Sequence, residues 1–166
     1  MAPPRYVLTT PRLRLRELTL ADLDVVERVR ADAQRFWGLP PSSRDEVQAW
    51  LVRHVAGYAA NGFDLWGVEL AATGELIGDC GLVRREIAGR DEIELGYHVL
   101  EEHWGHGYAT EAALACVAHA RALGHTRIVA LILLSNLPSQ AVARHLGMRP
   151  GPQVEWFGLV HILWES

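Results

Sequence analysis

Between Glu92 and Leu134 the chain reads as strand, glycine turn, helix, strand, and no other stretch narrows the fold as much. Glu92 to Val99 is β-prone and alternating. Ala109 to Leu123 (ATEAALACVAHARAL) is helical and apolar on most faces, and Gly124 closes it. Arg127 to Leu134 contains IVALILL, a continuous apolar run that suits a strand buried on both faces. Two strands joined by a helical crossover lie parallel, with a right-handed connection. This one unit already demands a sheet with a covering helix.

The rest of the sequence dresses that unit with antiparallel strands. Leu13 and Leu15 alternate with Arg12, Arg14 and Arg16, a period-two strand. Thr19 with Asp22 opens a helix whose apolar face is Leu23, Val26 and Val29. Ser43 with Glu46 is a stronger capping box. It starts a second helix through Val47, Trp50, Leu51, His54, Val55 and Tyr58, ended by Asn61-Gly62. A meander follows: Phe63–Ala71, Leu76–Arg84 and Glu92–Val99, with a loop at Glu86–Asp91. Pro138 to Leu146 is a short helix ended by Gly147, and Val154 to Trp164 supplies one final strand or two. The spacing therefore predicts one α/β domain over residues 1–166, a mixed and mostly antiparallel sheet with flanking helices.

Composition sets limits on function. A net charge of -4 gives no basic face for nucleic acid, and no apolar run reaches the length of a membrane span. The N-terminus lacks an apolar signal region, and Cys80 and Cys116 are too few for a disulfide framework, so a cytoplasmic protein with reduced thiols is expected. All 16 basic residues are arginine. A lysine Schiff base and a Walker-type phosphate loop are thereby excluded.

The turn inside the crossover, EEHWGHGYATEA from Glu101 to Ala112, admits two chemistries. His103 and His106 with Glu101 and Glu102 suggest a metal. Ligands at that spacing normally share one helix face, however, and here they flank a glycine turn, so no metal is expected. The alternative is an anion. The first N–H groups of a helix lack intrahelical partners, and the dipole adds partial positive charge. Gly105 and Gly107 let a diphosphate approach the backbone, and Thr110 adds a hydroxyl. A third glycine for a dinucleotide fingerprint is missing. His54, His98 and His119 stand at positions where packed or surface histidines are the ordinary outcome.

Five segments, in order, resemble the GNAT acyltransferase superfamily. They are TTPRLRLRELTLADLD, ELIGDCGLV, IELGYHVLEEHWGHGYATEA, SNLPSQAVARHLGM and HILW. The chain is most similar to the branch that includes the ribosomal-protein N-terminal alanine and serine acetyltransferases. That resemblance implies acetyl-CoA as co-substrate and a parallel strand pair that splays apart. Gly107 and Ala109 fall on the family's phosphate-loop pattern, and Trp104 stands at its first position, where it departs from the general Gln or Arg but is familiar in this branch. The backbone from Gly105 through His106, Gly107, Tyr108 and Ala109 to Thr110 would hold the pyrophosphate. The pantetheine arm would pair with the backbone of Tyr97, His98 and Val99 as an added strand. Asn136 matches the family asparagine of the cofactor site.

The implied reaction is direct attack of a primary amine, on a protein N-terminus or a small molecule, on the thioester in a ternary complex. It needs a base for the arriving ammonium, a donor for the oxyanion and an acid for the thiolate. Glu94 is the candidate base, with Glu92 in reserve on the same face. The Val99 N–H is the candidate oxyanion donor. The family's tyrosine acid falls on Ala143; the resemblance to this branch makes Ser139, three residues after Asn136, the candidate acid in its place, with water the alternative. Trp37, Trp50 and Trp66 are candidates for an acceptor pocket. Two other readings stay open: a non-catalytic acyl-CoA-binding sensor or interaction module, and an enzyme using another donor such as succinyl-CoA. Edge strands near the C-terminus are where a homodimer would form.

Overall fold

A computed structural model describes residues 3–166. Eight strands and four α-helices are built, in chain order, as β1 (Tyr6–Thr9), β2 (Leu13–Arg16), α1 (Leu23–Phe36), α2 (Arg44–Asn61), β3 (Leu65–Leu70), β4 (Leu76–Ile87), β5 (Arg90–Val99), α3 (Tyr108–Ala122), β6 (Val129–Leu133), α4 (Leu137–His145), β7 (Arg149–Trp156) and β8 (Leu159–Glu165). They form one sheet in the order β1-β2-β3-β4-β5-β6-β8-β7, in which only β5 and β6 are parallel. The crossover thus does what its sequence demands.

Both capping boxes form. Asp22 accepts from the Thr19 N–H at 2.8 Å, but the first turn is a 3-10 turn, Leu20–Asp22, and the α-helix begins at Leu23. Glu46 accepts from the Ser43 N–H at 2.7 Å, and Gly62 ends α2 in the left-handed conformation at φ 78°.

Two elements differ from the sequence expectation. β1 was not expected; it pairs with β2 across the turn at Thr10–Pro11. The predicted loop Glu86–Asp91 is strand, because the β4–β5 ladder continues to Ile87 opposite Arg90. Only Ala88 and Gly89 turn, both at positive φ (49° and 76°), the geometry of the tightest hairpins. An alanine in the left-handed region is costly, so its sequence gives no turn signal. Phe157 and Gly158 repeat the device between β7 and β8, so the C-terminal strand is two.

Period two gives the sheet two faces. Trp66, Val68, Cys80, Leu82 and Leu95 pack against Ala112, Ala113, Cys116, Val117 and Ala120 of α3. The cover here is small side chains against large ones, which brings α3 close to the sheet. On the other face α1 and α2 pack with Leu18, Val26, Val47 and Leu51 at their centre. β7 ends the sheet, and Pro150 and Pro152 remove two donors and interrupt its register with β8.

Candidate acyl-carrier site

The site begins where β5 and β6 part. The Leu100 N–H donates to the Ile77 carbonyl of β4 at 2.8 Å. Alternation along the ladder then turns the peptide groups of Gly96 and His98 toward β4, and those of Leu95, Tyr97 and Val99 toward β6. But β6 pairs with β5 at a single position, Glu94 with Val129. Beyond it the strands separate. The N–H and C=O of Tyr97 and the N–H of Val99 face the opening. The Val99 carbonyl is taken by the Trp104 indole N–H at 2.6 Å. Of the three residues expected to present backbone to an added strand, Tyr97 and Val99 do so, and His98 has its peptide groups turned to β4.

The chain then makes a 3-10 turn, Glu101–His103, and enters the glycine loop. Gly105 and Gly107 both adopt φ 77°, where a side chain would be strained. Gly107 caps α3, and the first intrahelical bond runs from the Glu111 N–H to the Gly107 carbonyl at 3.0 Å. The N–H groups of Tyr108, Ala109 and Thr110 are left pointing out of the helix end, as an anion requires. His106 turns its Nδ1 back onto the carbonyls of His103 and Trp104, at 3.1 and 2.9 Å, and stacks on Tyr108. It does not converge with His103, which lies 3.2 Å from Glu75.

A cation that the sequence pattern did not single out stands here. The Arg12 guanidinium donates to the His106 carbonyl at 2.9 Å and to Glu111 at 2.6 Å, and lies 4.6 Å over the Tyr108 ring. Arg12 was visible only as one member of an alternating strand, and nothing local in the sequence says that it reaches residue 106. Beside it an open cavity of about 780 Å³ is lined by Thr10, Gly107, Thr110, Glu111 and His145 among others.

On the α3 face of β5, the Tyr97 hydroxyl donates to the Ser139 carbonyl and accepts from the Ser139 hydroxyl, both at 2.9 Å. Burial pushes the Tyr97 phenol up to about 12. Asn136 caps α4 by accepting the Ser139 N–H at 3.1 Å. Ala143 is fully buried. The Tyr97 hydroxyl of β5 thus meets α4 at its first turn, through Ser139.

On the α1/α2 face, Glu94 accepts from the Arg85 Nε. Glu92 is buried and held by the Arg127 guanidinium at 3.0–3.2 Å, a structural ion pair rather than a free base. His98 lies 2.8 Å from Asp79, with Trp37 edge-on at 5.8 Å. Of the three tryptophans, Trp37 packs on His98. Trp50 carries the Arg30 guanidinium at 4.5 Å, and Trp66 is core beneath α3. His54 is buried against Asp64, and His119 packs on Trp66, where burial lowers its pKa.

A parallel pair that parts beside a bare helix N-terminus suits a ligand with a peptide-like arm and a diphosphate, which is the class of acyl-CoA-binding domains. The chain belongs to the GNAT acetyltransferases: the family described as "Acetyltransferase (GNAT) domain" matches residues 12–149. YkkB, an uncharacterised protein of Bacillus subtilis (strain 168), is 40% identical over 102 residues, which are 60% of this chain and 56% of YkkB, little more than half of that relative. A putative GNAT-family acetyltransferase structure from Bordetella pertussis superposes with a TM-score of 0.83 at 32% identity, over 98% of this chain and 99% of its own. The ribosomal L7/L12 α-N-protein acetyltransferase RimL, solved with coenzyme A, shares the fold at a TM-score of 0.79 and 16% identity, over 98% and 97% of the two chains. No helix among the described residues is long and apolar enough to cross a membrane.

Proposed function

We propose that the protein transfers the acetyl group of acetyl-CoA to a primary amine by direct attack in a ternary complex. The observation that carries this reading is the opening between β5 and β6, where the Tyr97 and Val99 peptide groups are turned toward no neighbouring strand. A pantetheine arm carries two amides, which complement those groups as an added strand would. Its pyrophosphate would rest on the N–H groups of Tyr108, Ala109 and Thr110, with Gly105 and Gly107 allowing the close approach and Thr110 adding its hydroxyl. Trp104 fixes the loop to the end of β5 through Val99.

The chemistry divides between the two faces of β5. The Val99 N–H, next to the opening, is the oxyanion donor. The Ser139 hydroxyl, whose proton rests on the Tyr97 oxygen before the reaction, turns it to the departing sulfur, and Asn136 holds Ser139 in place. Glu94 adds negative charge on the α1/α2 face, where a cationic amine would arrive. A protein N-terminus or a small amine satisfies these groups equally.

The experiment is a thiol-release screen of amines and peptide N-termini with acetyl-CoA. Thiol released in proportion to acetylated amine supports the reading. Tight binding of acetyl-CoA with no transfer to any acceptor would leave a binding module instead, and faster turnover with succinyl-CoA would reassign the donor.

A further inference from the structure

Resting on that reading, we infer that His98 takes the proton from the acceptor amine, with Asp79 as its positioning residue. The two meet across β4 and β5, where Asp79 is the direct register partner of His98. The Asp79 carboxylate is 2% exposed, and its Oδ1 lies 2.8 Å from the imidazole Nδ1. A carboxylate on Nδ1 holds the ring's proton there and leaves Nε2 as the lone pair. The His98 side chain retains 26% exposure, so the ring is not sealed from solvent. Trp37 packs edge-on against the ring and fixes its plane.

Position on the strand matters as much as the pair. His98 sits between Tyr97 and Val99, the two residues whose peptide groups face the opening, and its side chain emerges on the α1/α2 face. Tyr97 sends its hydroxyl to the opposite face, onto α4. Base and acid would thus approach the thioester from opposite sides of one strand, as a reaction that removes a proton at nitrogen and adds one at sulfur requires. Glu94, four residues earlier on the same face, has one carboxylate oxygen held by Arg85. The charged groups around His98 are Asp79 on β4, Glu94 on its own strand, and Arg30 of α1, which is within electrostatic reach of Asp79.

The step balances without another reactant. An ammonium N–H breaks, and its proton goes to Nε2. The freed lone pair forms the C–N bond at the acetyl carbon. The C–S bond breaks with its electron pair on sulfur, the Ser139 hydroxyl proton passes to that sulfur, the second amine proton is relayed back to the Ser139 oxygen, and the imidazolium returns its proton to water.

The test is steady-state thiol release across pH 5.5 to 9 for the wild type, His98→Gln, Asp79→Asn and Glu94→Gln, with acetyl-CoA-induced thermal shifts as the folding control. His98→Gln is expected to lose about 100-fold in kcat, to keep its acetyl-CoA KM, and to lose the acid limb of the kcat/KM profile. Asp79→Asn is expected to lose about tenfold in kcat with KM unchanged, and Glu94→Gln less than His98→Gln. If His98→Gln does not fold, His98→Ala assayed with added imidazole takes its place, and restored turnover supports the assignment. Near-normal kcat with the acid limb retained in His98→Gln, or no response of His98→Ala to imidazole, overturns the His98 assignment alone. A wild type that acetylates no amine overturns the transfer reading and this inference together.

Discussion

Arg12 Nε lies 2.6 Å from Glu111 Oε2, and this ion pair joins the β1–β2 turn to the first turn of α3 across 99 residues of sequence. The same carboxylate accepts from the Thr10 hydroxyl at 2.6 Å and the Arg12 N–H at 2.9 Å. Glu111 would otherwise set a bare negative charge beside the α3 N-terminus proposed to hold the pyrophosphate. Arg12 balances it and keeps a cation at the loop.

Arg12→Ala is therefore expected to raise the acetyl-CoA KM several-fold, with little change in kcat at saturation. Glu111→Gln should cost about 1 kcal/mol of stability through its weakened hydrogen bonds. Calorimetric titration with acetyl-CoA and chemical denaturation at neutral pH measure the two effects separately.

Stability should also fall in acid by a calculable direction. Burial would raise the Glu111 carboxyl, but the bonds from Thr10 and Arg12 outweigh it and hold it below the ordinary 4.5. Asp22 behaves alike: burial opposes, while Arg16 and Thr19 hold it below 3.8. A depressed carboxylate contributes stability that is present above its unfolded value and lost as pH falls through the folded one. Denaturation midpoints should thus hold down to about pH 4.5 and drop below it. The gap between wild type and Glu111→Gln should narrow over the same range.

Two glycines separate space from backbone strain. A Cβ on Gly78 would lie 2.1 Å from the His98 carbonyl oxygen, where β4 supports the site from below. Gly78→Ala should cost about 3 kcal/mol and displace β5. Gly105→Ala meets nothing within 4 Å and pays only for its positive φ, about 1 kcal/mol. Thermal denaturation ranks the two, and the reverse order would refute the packing account.

The thiols should be silent. Cys80 and Cys116 are free, buried, and 3.5 Å apart at sulfur, and burial drives the Cys80 thiol well above its usual range. A thiol reagent should find no reactive group in the native protein and both cysteines after unfolding. Native labelling within minutes would show that α3 lifts from the sheet.

Tyr97 and Ser139 should act as a unit. Each of Tyr97→Phe and Ser139→Ala is expected to lower kcat about tenfold at unchanged acetyl-CoA KM, and the double variant no further, because the two hydroxyls share one hydrogen bond. Additive losses in the kinetic cycle would assign them separate roles.

Much of the fold was written locally. The parallel pair follows from a strand, a helix and a β-branched run in succession, and the glycines at 105 and 107 mark the anion loop because only a residue without Cβ turns freely there. The loop at 86–91 was misjudged because Ala88 takes a conformation its residue type disfavours, under compulsion from the paired strands on either side. β1 escaped notice because a four-residue strand between prolines carries almost no periodicity.

The sequence by itself determined the sheet's mixed character, the helix that ends on the glycine loop, and the family. The first two rest on spacing within a few residues, and the family on the resemblance of five segments in order along the chain. Tertiary structure alone decided that Arg12 reaches His106, that the Tyr97 hydroxyl meets Ser139 of α4, and that Asp79 stands beside His98. Those are meetings between distant segments. Strand register sets them, and register depends on the packing of whole faces against helices rather than on any single stretch of chain.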